Sequence, residues 1–248
     1  MRLDLMTWPQ VDERLKSDRA IVLPIGSVEQ HGPTGLMGTD ALVAEAVARR
    51  AGDLDDLLIG PTFSIGVAAH HMAFAGTISL SAGTFMAALC EWITSLVTHG
   101  FDHIYVLNGH GGNIQAIRRS FQTLEGELGS RAPKMVLRNW WEFEPVTQMR
   151  EALYTKAEGH HATPSEIAIT QYLYAEARLA ARPLEPLVAP NGPIRNAQDY
   201  RARFPDGRIG SNPALANAAD GEKLLQSASL ALIDDFRQFT VAGRALSD

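Results

Sequence analysis

The sequence predicts an α/β fold in which a mainly parallel sheet is layered between helices. Short apolar runs rich in β-branched residues alternate with longer helical patterns over the first two-thirds of the chain. This rhythm is typical of parallel strands joined by crossover helices. The strand candidates are apolar nearly throughout, as strands buried on both faces should be. With 248 residues and no repeat or convincing linker, we expect one domain over residues 1–248.

The predicted elements follow one another in a regular order. The strand candidates are Ala20–Ile25, Leu57–Ile59, His103–Leu107 and Lys134–Leu137. The helical patterns are Ala41–Ala51, Thr84–Thr98, Asn113–Leu128, Pro164–Ala177 and Ala214–Thr240. Between the last two helices, residues 183–213 are too rich in Pro and Gly for a simple connection, so we expect an ordered functional or interface loop there.

Composition excludes several classes of protein. The formal net charge is -6, and without a concentrated basic face no nucleic-acid partner is expected. No charge-free apolar run reaches the roughly 20 residues that a membrane span needs. The N-terminal segment MRLDLMTWPQVDERLK carries charges where a signal peptide needs an apolar stretch, so we expect a cytoplasmic protein. The single cysteine, Cys90, lies in an apolar helical pattern and is expected to be a core residue.

Metal-ligating side chains follow the first predicted strand. The segment GSVEQHGPTGLMGTD contains Glu29, His31 and Asp40. Ligands bind at the carboxyl ends of parallel strands, and residues two apart in an extended segment point to the same side. Taken singly, Asp40 could be only a helix N-cap and His31 only a surface residue. Together in one glycine-rich loop, they favour metal binding.

A second loop, NGHGGN, follows the strand His103–Leu107 and places His110 between glycines. Glycine-rich loops at helix starts also cradle phosphate, which is the rival interpretation. The segment matches neither the P-loop nor the dinucleotide fingerprint and lacks the phosphate-binding lysine. A histidine at its centre suits a cation better, so we interpret His110 as a metal ligand.

The third segment is EGHHATPSEIAIT, where Pro164 fits the first turn of a helix capped by Thr163. Glu166 would then lie in that first turn, facing the loop that carries His161. Alone, Glu166 is an ordinary helix-start carboxylate favoured by the helix dipole. With the upstream histidines it is also a candidate ligand.

This donor set suits two divalent ions. Zinc is the expected metal, with manganese and iron(II) as alternatives, because all accept imidazole and carboxylate ligands. Two ions bridged by Asp40 can generate hydroxide near neutral pH and polarise a carbonyl. An unligated histidine would carry a proton to the leaving nitrogen, and His161 is the candidate.

The motifs EQHGP, GTISL, NGHGGN and HATPSE, in this order and with an Asp eleven positions after the first Glu, resemble the creatininase family of amidohydrolases. The resemblance runs from about Ile21 to Pro213. It implies that Glu29 and His110 bind one metal, that His31 binds the other, and that Asp40 bridges them. It implies that His161 is the catalytic histidine. Three further residues lie where the family places pocket or substrate-contacting side chains: His71, Trp140 and Trp141. The two tryptophans could equally be core or interface aromatics.

One departure from the pattern leaves an alternative open. Creatininase has a glutamate two positions after the histidine of NGH, where this chain has Gly112. We expect Glu166 to replace that carboxylate; otherwise the second ion is weak or absent, and the chain is a catalytically inactive metal- or ligand-binding member. The family cleaves C–N amide-like bonds, which implies hydrolysis of a cyclic amide or formamide by metal-bound hydroxide. The implied partners are a small-molecule amide and further copies of the chain, since members are often hexamers.

Overall fold

The computed structural model describes residues 1–177 and 184–244. Its centre is a parallel sheet of three strands in the order β1-β2-β3. The strands are β1 (Ala20–Ile25), β2 (His103–Asn108) and β3 (Lys134–Asn139), and Ala20 pairs with His103, which pairs with Lys134. The predicted fold class, a parallel sheet layered between helices, is confirmed.

The prediction of a full strand at Leu57–Ile59 is wrong. The segment lies beside β1 but pairs with it only through isolated bridges: Val22 N donates to Leu58 O at 2.9 Å, and Gly60 N donates to Val22 O at 2.8 Å. The next residue of β1 on this side is Pro24, which has no amide hydrogen to donate. The ladder is therefore interrupted after one pair of bonds.

Helices cover both faces of the sheet, and they are longer or shorter than predicted in several places. Their bounds are α1 Trp8–Arg14, α2 Thr39–Leu54, α3 Ala82–Thr98, α4 Ile114–Leu128, α5 Glu144–Tyr154, α6 Pro164–Leu173, α7 Ala197–Arg203 and α8 Ala218–Arg244. The predicted helix to Ala177 ends at Leu173, because the backbone leaves the helical region at Tyr174. The last helix starts at Ala218 rather than Ala214, which lies in a separate 3-10 turn, Pro213–Leu215. In the described part of the chain, no helix is long and apolar enough to cross a membrane.

The alternation of β1 explains the two apolar layers. Ile21 and Leu23 pack with α3 and α4, whereas Ala20 and Val22 pack with α2, α6 and α8. Successive strand residues point to opposite faces, so a strand covered on both faces must be apolar at every position. Cys90 on α3 is half-buried against the first of these layers, which agrees with a packing role.

Two glycines at the strand ends seat the start of α2 on the sheet. A Cβ at Gly109, just after β2, would lie 2.1 Å from the backbone oxygen of Asp40, and one at Gly26, just after β1, would lie 2.3 Å from the Cα of Ala41. No other residue type allows this approach. The close contact fixes Asp40 above the carboxyl edge of the sheet.

Candidate metal centre

The loop after β2 is folded by its own asparagines, which the sequence interpretation left out. Asn108 donates through Nδ2 to the backbone oxygen of His110 at 2.7 Å and to Oδ1 of Asn139 at 2.8 Å. Asn113 donates to Gly26 O at 2.9 Å and accepts from the amide of Val67 at 2.8 Å. These bonds turn His110 inward over the ends of β1 and β2. The two asparagines at the ends of NGHGGN were the available signal.

Asp40 lies between the side chains of His31 and His110, at the centre of a cluster of histidines and carboxylates. It is the second residue of α2, whose N-cap is Gly38, and its side chain makes no cap, so the interpretation of Asp40 as only an N-cap is wrong. Oδ1 lies 2.9 Å from His31 Nε2, and Oδ2 lies 3.0 Å from His110 Nδ1. The second contact is not aligned as a hydrogen bond, which leaves the buried Oδ2 without a hydrogen-bond partner among the described residues. A buried acceptor in this state is suited to a cation.

Glu29 is buried, with 1% of its surface exposed. Its Oε2 accepts from Ser27 Oγ at 3.0 Å and lies 3.2 Å from His110 Nε2. Its Oε1 lies 3.1 Å from His71 Nε2. Ser27 thus holds one oxygen of the carboxylate by a hydrogen bond, while the other oxygen only contacts the ring of His71.

Glu166 reaches the cluster from the first turn of α6. Its Oε1 accepts from the backbone N–H of Thr163 at 2.6 Å, and Thr163 Oγ1 accepts from Glu166 N at 3.4 Å, so the two residues form a capping box. Oε2 lies 4.0 Å from His31 Nε2. The predicted cap at Thr163 is confirmed, and one oxygen of Glu166 is left facing His31.

The predicted ligands fall into two trios that share Asp40. Glu29, Asp40 and His110 form one trio, and His31, Asp40 and Glu166 form the other; in each, one ligand atom per residue lies within 4.8 Å of the others. A further trio of the same kind joins Glu29, His31 and His161. The mixture of carboxylate and imidazole suits zinc or manganese, so the residues present fit a pair of divalent ions.

The pKa shifts in the cluster also favour positive charge beside the carboxylates. Burial lowers the pKa of His31, but Asp40 and Glu166 outweigh it and raise this pKa to about 10. Burial raises the pKa of Asp40, but His31 and His110 outweigh it and hold this pKa well below its usual range. Burial raises the pKa of Glu166 to about 7 in spite of His31. Protonated histidines thus compensate the carboxylates where cations could do so.

His161 differs from His31 and His110, the histidines of the two trios, because it is neutral. Burial holds its pKa well below the usual range, and the charge of His31 acts in the same direction. Its Nε2 lies 2.7 Å from the backbone oxygen of Gln30, and its Nδ1 lies 3.9 Å from Glu29 Oε1. Ser211 Oγ anchors its backbone oxygen at 2.6 Å. A neutral, fixed imidazole beside the trios can accept a proton.

A cavity of about 430 Å³ opens beside the trios. Trp140 and Trp141 both border it, although Trp140 is only 2% exposed and packs in the core. Sequence reasoning missed Arg150 and Tyr200, which also border the cavity. Tyr200 comes from the Pro- and Gly-rich segment, whose described part contains α7 and so contributes to the site.

At Gly112, where the resemblance to creatininase implies a glutamate, there is no room for a side chain. A Cβ would lie 2.3 Å from His110 Nε2 and 2.4 Å from Val67 O. A glutamate would require His110 to move. The carboxylate of the second trio comes instead from Glu166.

A parallel sheet between helices, with buried carboxylates and imidazoles at its carboxyl edge, defines an α/β protein with a candidate dinuclear metal centre. The sequence model of the creatininase family, described as creatinine amidohydrolase, matches residues 4–235. The chain therefore belongs to the creatininase family, whose enzymes are hydrolases.

Several relatives can be compared over different lengths. The creatinine amidohydrolase of Pseudomonas putida is 25% identical over 94% of this chain and 95% of its own. The mycofactocin precursor peptide peptidase of Mycobacterium ulcerans is 35% identical over 130 residues. That match spans 49% of this chain and 48% of the peptidase, so the chain spans about half the length of this relative.

Solved structures confirm the fold. A crystal structure of creatinine amidohydrolase superposes with a TM-score of 0.86, at 24% identity over 96% of both chains. Creatininase with Mn superposes with a TM-score of 0.85, at 24% identity, over 96% of this chain and 97% of that one. A mutant creatininase of Zn–Zn type has the same TM-score, identity and coverage.

Proposed function

We propose that this chain is a metal-dependent hydrolase of a C–N amide-type bond that holds two divalent ions around Asp40. The observation that carries the proposal is the position of this one carboxylate, whose Oδ1 faces His31 and whose Oδ2 faces His110. A carboxylate that reaches two ligand sets is the bridge that a two-metal site needs.

The ligands divide between the two ions by trio. Glu29 and His110 would hold the first ion, His31 and Glu166 the second, and Asp40 both. Zinc is the expected metal, with manganese and iron(II) as alternatives; the Mn and Zn–Zn forms of related creatininases support this choice. When bound, such a pair lowers the pKa of water and polarises a carbonyl.

His161 is proposed to move the proton. Hydrolysis forms a C–O bond from water and breaks the C–N bond, so one proton of the water must reach the leaving nitrogen. Nε2 of His161 is engaged by the backbone oxygen of Gln30, which leaves Nδ1 as the atom that accepts and then donates. Proton transfer by a positioned imidazole contributes about 10²–10⁴-fold to rate.

The cavity supports a small amide as the substrate, with a cyclic amide or a formamide as the class. The creatinine amidohydrolase and the peptide peptidase among the relatives both bear names of C–N hydrolases. Trp140, Trp141 and His71 remain the proposed substrate-side residues of the sequence interpretation, although His71 is almost fully buried. A cytoplasmic location and a homo-oligomer, with a hexamer as the frequent form of the family, stay predictions.

The inactive alternative rested on Gly112. Glu166 offers a carboxylate oxygen to the same trio as His31, and His161 is neutral and beside the cluster. Both observations favour the hydrolase over a member that only binds metal.

The test is metal content by elemental analysis, on protein purified without a metal-affinity column. We expect two ions per chain in the wild type and one in Glu166→Ala. The matched control is Glu144→Ala, because Glu144 also lies in the first turn of a helix but is exposed; it should retain two ions. One ion or none in the wild type would contradict the two-metal proposal.

A further inference from the structure

Arg150 is the only lysine or arginine among the described residues that border the cavity. It lies on α5, and its side chain is 16% exposed. Its Nε donates to Glu158 Oε1 at 2.7 Å, and its Nη1 donates to the backbone oxygen of Trp141 at 2.9 Å. The guanidinium is therefore held through two of its nitrogens at the border of the cavity.

Glu158 is a buried anchor for this arginine. Only 8% of the residue is exposed, and its Oε1 also accepts from Ser165 Oγ. Ser165 directly precedes Glu166, the carboxylate that belongs to the second trio alone. Both Ser165 and Glu166 border the same cavity. A chain of contacts thus connects Arg150 to the segment that carries this ligand.

The guanidinium of Arg150 has donors to spare. A guanidinium carries five N–H groups and no acceptor, and the bonds to Glu158 and Trp141 use one N–H each. Within the described part of the chain, Nη2 makes no hydrogen bond, and it is not one of the buried atoms left without a partner. Donors of a planar guanidinium match the two oxygens of a carboxylate better than any neutral group.

The charges around the cavity permit an anion there. The carboxylates of the two trios are those of Glu29, Asp40 and Glu166, and together they carry less charge than two divalent ions. An anionic substrate would thus meet no excess of negative charge in the metal-loaded protein. Arg150 supplies a fixed positive partner at the border of the same cavity, and such complementarity gives specificity.

We propose that Arg150 is a specificity-determining residue that binds a carboxylate of the substrate, so that the compound hydrolysed is an amide that also carries a carboxylate. This inference rests on the proposed function and narrows its substrate class. The bonds to Glu158 and Trp141 orient the guanidinium before the substrate arrives, so it loses little freedom on binding. The competing explanation is that Arg150 only joins α5 to its neighbours.

Two compounds that differ only in the charged group test the inference on full-length, zinc-loaded wild type. Pyroglutamate is a cyclic amide with a carboxylate, and pyroglutamide has a neutral carboxamide in its place. Isothermal titration calorimetry measures the binding of each. We expect pyroglutamate to bind about 10–100-fold more tightly, because hydrogen bonds to charged groups contribute more than neutral ones. Equal binding, or no binding of either compound, would overturn the inference.

Substitutions then distinguish Arg150 from the metal as the partner of the carboxylate. Arg150→Gln should bind pyroglutamate about 10–100-fold more weakly and pyroglutamide as before. Arg150→Lys keeps the charge but not the planar group, and should lose less. If Arg150→Gln still prefers pyroglutamate as strongly as the wild type does, the metal binds the carboxylate and the inference is wrong.

The matched control is Arg138→Gln. Arg138 also donates through Nε to a carboxylate, that of Asp235 at 2.9 Å, and through Nη1 to a backbone oxygen, that of Leu137 at 3.4 Å. It does not border the cavity. Arg138→Gln should bind both compounds as the wild type does; a loss of pyroglutamate binding equal to that of Arg150→Gln would count against a specific role for Arg150.

Folding and metal content keep the two proposals separate. Arg150→Gln leaves Glu158 buried without its partner, so a circular dichroism spectrum accompanies each titration; the comparison of the two compounds in the wild type needs no variant. Two bound zinc ions without a preference for pyroglutamate would remove only the role of Arg150. Protein that holds no zinc but prefers pyroglutamate through Arg150 would refute the two-metal hydrolase and keep the carboxylate site.

Discussion

The two ligand trios share Asp40 but are held in different ways. In the first, one oxygen of Glu29 accepts a hydrogen bond from Ser27, the other lies 3.1 Å from His71 Nε2, and the side chain is 1% exposed. In the second, one oxygen of Glu166 already caps α6, and the side chain is 14% exposed. The first carboxylate has no task outside the site, whereas the second also completes a helix.

Because of this difference, the same fold could hold one ion tightly in the first trio and an exchangeable ion in the second. A ligand fixed by buried partners loses little freedom when the ion binds. A ligand shared with a helix end, and exposed toward the cavity, holds its ion less firmly. We therefore expect the second trio to be the weaker site and the side on which substrate meets metal.

The largest effect is expected from removing the carboxylate that the trios share. Asp40→Ala should lose both ions, because each trio then keeps only two ligands. The measurement is elemental analysis beside a far-ultraviolet circular dichroism spectrum to establish folding. Asp40→Asn is the matched variant, similar in size but uncharged, and should also bind fewer than two ions. Retention of one ion in Asp40→Ala would show that the trios are independent and would break the comparison.

A smaller effect is expected when the wild type is titrated with a chelator. The ions should leave in two steps, and Glu166→Ala should lack the earlier step while keeping the later one. The ion content measured at each chelator concentration gives the order in which the two ions leave. Should the step that survives in Glu166→Ala be the earlier one, the assignment of the weaker site to the second trio is wrong.

The smallest effect is expected at the cap of α6. Thr163→Val removes the hydroxyl that caps the helix, at a cost of about 1 kcal/mol in the free energy of unfolding, and should weaken the second ion slightly because Glu166 shares that capping box. Ser81→Ala is the matched control, since Ser81 caps α3 by accepting from Thr84 N at 3.1 Å. Denaturant unfolding should show similar losses in both variants, and only Thr163→Val should change metal affinity. An equal change of metal affinity in Thr163→Val and Ser81→Ala would show that the cap of α6 has no specific effect on the metal site.

The main elements of the fold could be predicted because their patterns are local. The strands β1 and β2 are apolar on both faces, and the loops that follow them carry ligands at the edge where parallel strands end. Leu57–Ile59 has the same apolar character, yet its pairing depends on Pro24 in another strand. The helices α1, α5 and α7 were missed, although Pro145 in the first turn of α5 was an available signal.

In the candidate site, too, the features set by nearby residues could be predicted, and those set by distant residues could not. Glu29, His31 and Asp40 lie within one loop, so their proximity followed from spacing. The contact between Gln30 and Tyr200 spans 170 residues, and no local pattern gives it. The direction of each hydrogen bond depends on which atoms meet in space. The sequence could therefore predict the ligands, but not the residues that orient them.

The distribution of the ligands along the chain ties metal supply to protein stability. Glu29, His110 and Glu166 come from three separate segments that meet only at the edge of the finished sheet. An ion that binds this native arrangement and not the unfolded chain stabilises the native state by about 2.7 kcal/mol at a concentration one hundred times its Kd. Scarcity of the metal would thus enlarge the unfolded population open to proteolysis, and the abundance of the protein would follow the availability of its ions.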